Sequence, residues 1–252
     1  MNAEIHDLAA RGFERAGDDY ERGRPSYPAE AIEFLVRELR LGRGARVLDL
    51  AAGTGKLTRQ LVPTGADVVA VEPVAGMRRK LAEALPAVEA LAGTAEALPL
   101  PDASVDAVFC GQAFHWFDGD RALAEIHRVL RADAGLALIW NVRDEKVDWE
   151  RRLTELVKRY ESSAPRKRWG RWRDAFERTE LFTPLERRDF VHEQEGDVET
   201  MLARVSSISF VSALPDPERA QFLDEVRKLV EPYGSPLVMH YRTEVYWCRR
   251  RT

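Results

Sequence analysis

The stretch that most constrains this chain runs from Arg46 to Lys56. An apolar run, Arg46-Val47-Leu48-Asp49-Leu50, leads into Ala51-Ala52-Gly53-Thr54-Gly55-Lys56. The run has the length and continuous hydrophobicity of a strand buried on both faces. Two glycines one residue apart let the backbone turn tightly and come close to a ligand. A helix predicted over Lys56–Val62 presents its N-terminus to that loop, where a negative group is favoured. A strand, a glycine turn and a helix in this order are the unit of a parallel α/β sheet.

The flanking sequence repeats that unit. Pro28 opens a helix whose apolar Ile32, Leu35, Val36 and Leu39 recur at helical spacing, and Gly42 and Gly44 end it. Strands are predicted over Asp67–Val71, Val88–Ala92, Val105–Cys110 and Leu136–Trp140, with helices over Met77–Leu85 and Arg121–Leu130 between them. Beyond residue 145 the pattern changes. Helices are predicted over Val147–Glu161, Gly170–Arg178, Val198–Ser207 and Pro217–Val230. Leu185–Gln194 is a charge-rich, exposed or edge strand, and Leu237–Arg249 a long one. The fold class expected is α/β: a doubly wound, seven-stranded mixed sheet with N-terminal helices and a helical insertion before the last two strands. The 252 residues fit one domain, divided into an N-terminal cap and first helix (1–44), a cofactor-binding core (45–145), a helical insertion (146–183) and C-terminal strands and helices (184–252).

Charge limits the function classes. The 38 basic and 42 acidic side chains leave a net charge of −4, which gives no electrostatic reason to expect nucleic acid as partner. The exception is Arg166-Lys-Arg-Trp-Gly-Arg-Trp-Arg173, where tryptophans interrupt basic residues. Such a run can stack on single strands, but in an acidic chain it reads better as an amphipathic helix beside an acceptor pocket. No apolar stretch reaches the roughly eighteen residues of a membrane span. Residues 1–13 lack the apolar middle of a signal peptide. Cys110 and Cys248, the two cysteines, make neither a disulfide framework nor a metal site. A cytoplasmic protein is expected, with no metal, no membrane and no nucleic acid. Oligomeric state is not legible.

Three nucleotide motifs compete for the glycine loop. A P-loop needs glycine at 50 and serine or threonine after Lys56, where the chain has Leu50 and Leu57. A dinucleotide fingerprint, Gly53-x-Gly55-x-x-Gly, fails at Thr58. The third motif, an adenosylmethionine site, uses an acid at the strand end, which Asp49 supplies. Glu72 ends the second strand before Pro73, and an acid there accepts from both ribose hydroxyls at the carboxyl-end crevice of such sheets.

On these and later segments the chain resembles a class I S-adenosylmethionine-dependent methyltransferase. It is most similar to the small-molecule branch that includes trans-aconitate methyltransferase and the type 11 methyltransferases. The resemblance rests on Val47–Gly55, on Val71-Glu72-Pro73 with Met77, and on Gly93-Thr94-Ala95-Glu96-Ala97-Leu98-Pro99. It continues through Val105-Asp106-Ala107-Val108, Gln112-Ala113-Phe114-His115-Trp116-Phe117 and Glu125-Ile126-His127-Arg128-Val129-Leu130. It implies an enzyme that transfers a methyl group from S-adenosyl-L-methionine to a small molecule, leaving S-adenosyl-L-homocysteine. Asp49, Gly53 and Gly55, with Ala51 and Thr54 of the same loop, would hold the amino acid end of the cofactor. Glu72 would hold the ribose; Pro73, Met77 and Ala95 would pack on the adenine; Gln112 would lie near the methionine moiety. The chain departs from the family at Ala51, usually glycine, which is tolerable if φ stays negative there. It also departs at Thr94, often aspartate, which leaves the adenine contact to backbone or to Glu96. The alternatives are an NAD-dependent oxidoreductase and a non-catalytic adenosylmethionine-binding protein.

For the acceptor side, His115 follows the fourth strand and is the candidate catalytic base. The alternative for it is a structural histidine, with Trp116 beside it. Tyr20-Glu-Arg-Gly-Arg24-Pro-Ser-Tyr27-Pro28 corresponds to a stretch that covers the cofactor in the family. There Tyr20 and Tyr27 offer aromatic walls, Tyr20 to the cofactor and Tyr27 to the substrate, and Arg24 can meet a carboxylate. Trp140 and Arg143 end the fifth strand; with Trp116 they are substrate-side candidates, Arg143 as an anion contact.

Overall fold

The computed structural model describes residues 17–160 and 170–252. Residues 1–13 and the first part of the basic run, 166–169, lie outside the described residues, as does the side chain of Tyr20. Seven strands form one mixed sheet in the order β3-β2-β1-β4-β5-β7-β6. They are β1 (Arg46–Leu50), β2 (Asp67–Val71), β3 (Glu89–Leu91), β4 (Val105–Gly111), β5 (Leu130–Arg143), β6 (Glu186–Gly196) and β7 (Leu237–Arg249). The pairs β1–β2, β1–β4, β2–β3 and β4–β5 are parallel. The strand order reverses at β1, which puts the carboxyl ends of β1 and β4 at the switch point where such sheets bind ligands. β7 runs antiparallel to β5: Asp144 donates to the His240 carbonyl at 3.0 Å and Arg250 to that of Ala134 at 2.9 Å. The charge-rich β6 is the edge strand, as its sequence requires.

The helices are α1 (Gly17–Gly23), α2 (Ala29–Glu38), α3 (Thr58–Leu61), α4 (Ala75–Ala84), α5 (Gly119–Val129), α6 (Asp148–Arg159), α7 (Trp172–Arg178), α8 (Val198–Ser206), α9 (Ser209–Ser212) and α10 (Asp216–Val230). Some departures from expectation have clear physical reasons. α3 is one turn long because Pro63, which lacks an N–H, passes it into a 3-10 turn over Val62–Thr64. β5 starts at Leu130 rather than Leu136, through a register shift and a left-handed Asp133. α9, four residues long, carries too short a period to be read from sequence.

The chain forms two compact units, each with its own core. Among the described residues one comprises 26–141, 170–190 and 243–252. Its core packs α2, through Ala31, Ile32, Phe34, Leu35 and Leu39, with Val47, Phe109, Ala137, Val245 and Trp247. Phe34 meets Trp247 edge-on at 5.0 Å, an arrangement that adds about 0.5–1.5 kcal/mol to the burial of both rings. The other unit comprises 17–25, 142–160 and 191–242. There Trp149, Leu153, Met201, Val205, Phe222, Val226 and Tyr241 form the core.

Candidate active site

The glycine loop follows directly from β1. Asp49 is almost fully buried (1% exposed), and Thr58 donates its hydroxyl to Asp49 Oδ2 at 2.6 Å. Asp49 Oδ1 has no partner among the described residues. Burial pushes the Asp49 carboxyl up to about 7; the Thr58 bond opposes that rise, and the nearby Glu72 adds to it. Glu72 is 4% exposed. Its Oε2 accepts from Gly53 N and its Oε1 from Val74 N, both at 2.8 Å. Burial raises its pKa against those two bonds. Two buried carboxyls therefore stand on either side of one loop, one of them with an oxygen unsatisfied. An oxygen so placed calls for a donor or a cation.

The loop's backbone is left-handed at three places: Ala51 (φ +56°), Gly53 (φ +60°) and Gly55 (φ +86°). The value at Ala51 corrects the expectation of a negative φ there. The chain must turn back from β1 so that Ala52 N reaches the carbonyl of Val71 at 3.2 Å, and Ala51 takes the strained conformation to do it. At Gly55 a Cβ would stand 3.0 Å from Leu81 Cγ, so this glycine answers both to φ and to close packing on α4. Met77, on the same face of α4, is buried, with its sulfur 3.8 Å from where a Gly53 Cβ would be.

The remaining sequence candidates fall into three groups. The first is the loop side. Thr54 is buried and its carbonyl accepts from Arg59 at 3.4 Å. Pro73 offers its carbonyl to Arg78 at 3.3 Å. Ala95 is buried in the turn where Thr94 bridges Ala97. Glu96 accepts from Asp118 N at 2.8 Å, which ties that turn to the start of α5. Arg128 holds the same segment through the carbonyls of Leu98 and Leu100, while Glu125 accepts from Leu98 N. The Glu125–Arg128 motif is thus a clamp on the loop after β3.

The second group sits at the ends of β4 and β5. Gln112, left-handed at φ +62°, donates its amide to the carbonyl of Asn141 at 3.3 Å. His115 lies in the 3-10 turn Phe114–Trp116, with the Trp116 ring 5.4 Å from its own. The buried Trp140 donates its indole N–H to His115 Nδ1 at 3.4 Å. Indole nitrogen can only donate, so Nδ1 is the acceptor and the neutral ring carries its proton on Nε2. Tyr27 is a core residue: a Cβ on Gly111 would lie 2.6 Å from its hydroxyl. Trp172 packs at a tilt on Trp140, ring centroids 4.7 Å apart, and Arg173 lies 4.6 Å over Trp172. The described end of the basic run is thus packed into the fold.

The third group, Arg24 and Arg143, belongs to the other unit. Arg24 donates Nε to Ser207 Oγ at 2.9 Å and Nη2 to the Ser207 carbonyl at 3.0 Å, at the C-terminal end of α8, where a cation is favoured. Sequence reasoning missed Thr58 as the partner of Asp49, although it had noted Thr58 as the residue that breaks the dinucleotide fingerprint. It also missed Arg78, which holds the Glu72 carbonyl at 2.7 Å.

Comparison with known proteins agrees with this geometry. A methyltransferase domain family matches residues 48–138. An uncharacterized methyltransferase of Mycobacterium tuberculosis is 44% identical over 223 residues, 88% of this chain and 87% of that one. A malonyl-[acyl-carrier protein] O-methyltransferase of Methylococcus capsulatus is 45% identical over 100 residues, 37% of this chain and 36% of its own length. Among solved structures, a protein from Anaeromyxobacter dehalogenans proposed as a type II methyltransferase superposes with a TM-score of 0.69 at 28% identity. That match covers 90% of this chain and 97% of the other. The chain belongs to the class I S-adenosylmethionine-dependent methyltransferases, and it is an enzyme of methyl transfer.

Proposed function

We propose that the protein transfers the methyl group of S-adenosyl-L-methionine to a small-molecule acceptor, in the cytoplasm, where its two buried free thiols fit a reducing milieu. The observation that carries the donor assignment is the pair of buried carboxyls around a left-handed glycine loop, with Asp49 Oδ1 unpartnered. The donor carries two positive centres, an ammonium and a sulfonium, and buried carboxyls suit a cation. Asp49 and the loop backbone from Ala51 to Gly55 would receive its amino acid end, Glu72 its ribose, and Pro73, Met77, Thr94, Ala95 and Glu96 its adenine. Gln112 would lie beside the methionine portion. Tyr20 and Arg24 remain proposed cofactor contacts, and Tyr27, Trp116, Trp140 and Arg143 proposed acceptor contacts.

Bound there, the donor supplies an electrophilic methyl for an in-line displacement. The chain's own part is alignment and exclusion of water, and well-oriented groups reach effective molarities of about 10⁵–10⁸ M. His115, its tautomer set by Trp140, orients the acceptor by donating from Nε2. An acceptor that is already a carboxylate needs no base; a neutral alcohol or amine would need His115 to release Trp140 first. Calorimetry tests the donor assignment. S-adenosylmethionine and S-adenosylhomocysteine should bind and NAD should not; binding of NAD alone contradicts the proposal. Binding of S-adenosylmethionine with no turnover across an acceptor screen would mark a non-catalytic protein.

A further inference from the structure

The unit of residues 17–25, 142–160 and 191–242 is rich in arginines, and most are matched to acids. Arg219 pairs with Asp19 at 3.1 Å, Arg159 with Glu225 at 2.9 Å and Arg227 with Glu199 at 2.6 Å. Arg143 and Arg204 are not. Among the described residues, neither guanidinium has a carboxylate within ion-pair distance. Two acids near Arg143 in sequence are engaged elsewhere: Asp144 with Lys146 at 3.2 Å and Arg242 at 3.7 Å, and Glu150 with the backbone and ring of His240 at 2.7 and 3.1 Å.

Arg204 is nine-tenths buried (9% exposed) on the last turn of α8. Its Nε donates to the Tyr241 hydroxyl at 3.2 Å, and its two Nη groups have no partner among the described residues. Tyr241, itself buried, is fixed by Gln194 at 3.3 Å and by the His192 ring stacked 5.3 Å away. Arg143, at the end of β5, stands opposite Tyr241 on β7 by the register of the Asp144–His240 bond, beside the Arg204 that Tyr241 holds; burial and that like charge push its pKa down to about 10, against weaker help from Tyr241, Glu145 and Glu150. Arg143 remains charged at neutral pH. Two cations this close, one of them nine-tenths buried and neither in an ion pair among the described residues, repel each other. Arginine forks with free N–H groups match the oxygens of a carboxylate or phosphate in paired hydrogen bonds.

We propose that Arg143 and Arg204 form a binding site for one oxyanion group, a carboxylate or a phosphate. Tyr241 is a positioning residue: it holds Arg204 by Nε and leaves the two Nη groups for the ligand.

The test uses the full chain without cofactor. Thermal melting is followed with sodium succinate, with sodium phosphate, and with sodium chloride at matched ionic strength. Succinate or phosphate, at about ten times its dissociation constant, should raise the midpoint by about 2–4 °C over chloride. The anion giving the larger rise tells carboxylate from phosphate. In Arg143→Gln the rise should disappear, while the ligand-free midpoint should equal or exceed that of the wild type, because a like-charge contact has been removed. No rise in the wild type, or a rise retained in the variant, overturns the site. A ligand-free variant several degrees less stable also overturns it, since Arg143 would then be a structural cation. Should Arg143→Gln fail to fold, Arg143→Lys decides: it keeps the charge but loses the fork, so affinity should fall at least threefold, and unchanged affinity overturns the proposal. S-adenosylmethionine is titrated separately, so failure of the anion site and failure of the donor assignment are different results.

Discussion

The two units hold charge in opposite ways. Around the glycine loop, two buried acids are served mainly by backbone: Glu72 takes the N–H groups of Gly53 and Val74, and Asp49 takes one hydroxyl. In the other unit, two cations stand on α8 and β5, and the Tyr241 hydroxyl of β7 holds Arg204. The first arrangement is set by consecutive residues and short turns. The second needs residues some sixty positions apart, Arg143 and Arg204, to meet. Backbone-built sites leave a local signature in sequence, whereas sites built from distant side chains do not.

The contrast can be broken at several points. The largest effect is expected for Glu72→Ala, which removes the acceptor of two loop N–H groups. S-adenosylmethionine affinity should fall about 100-fold or more, roughly 2.7 kcal/mol by calorimetry, with the circular dichroism spectrum retained. Unchanged affinity would remove Glu72 from the site. Next is Asp49→Asn, which keeps the Thr58 bond but loses the charge. Affinity should fall at least tenfold, roughly 1.4 kcal/mol.

Asp49 also predicts a pH dependence. Its folded pKa, about 7, lies above the ordinary 3.8, so the native state binds more protons than the unfolded one between those values. This group's contribution to stability is therefore greatest below about pH 4 and is lost as pH rises towards 7. Without cofactor, Asp49→Asn should flatten that part of a denaturant-derived stability–pH profile and be more stable than the wild type at pH 8. A profile unchanged by the substitution would place the Asp49 titration elsewhere.

Smaller effects follow. Trp140→Phe removes the donor to His115 Nδ1 and frees that nitrogen. The dissociation constant for S-adenosylmethionine should hold, while turnover on an identified acceptor drops several-fold or gains a new pH limb; a profile identical to the wild type would deny Trp140 any hold on His115. The smallest is Ala51→Gly. Relief of a left-handed alanine outweighs the added freedom of glycine in the unfolded chain, leaving about 0.5–1 kcal/mol of stabilisation. A destabilised variant would mean that the Ala51 methyl makes packing contacts worth more than the strain.

Much of this was legible beforehand because it is local. The strands Arg46–Leu50 and Asp67–Val71 have the predicted limits, since buried parallel strands read as unbroken apolar runs between turn residues. β7 was equally plain. The loop, with Asp49 and Glu72 as its buried acids, was readable from glycine spacing and strand ends. The φ of Ala51 was not, because its cause is a hydrogen bond from Ala52 to a different strand. Nor was the packing of the Tyr27 hydroxyl against Gly111, a contact across more than eighty residues. The bonds of Arg24 to Ser207 at the end of α8 likewise join residues far apart in sequence. The partner of Arg204, Tyr241, comes from β7, so no window of sequence displays the pair.

The central claim is that the buried acids and the left-handed glycine loop receive S-adenosylmethionine. Isothermal titration of the wild-type chain with S-adenosylmethionine, at pH 6 and at pH 8, tests it most directly. Binding of a cation favours the ionised form of Asp49, so affinity should be higher at pH 8 and binding at pH 6 should release protons to the buffer. Absence of binding at both values, or affinity that falls as pH rises, would contradict the account.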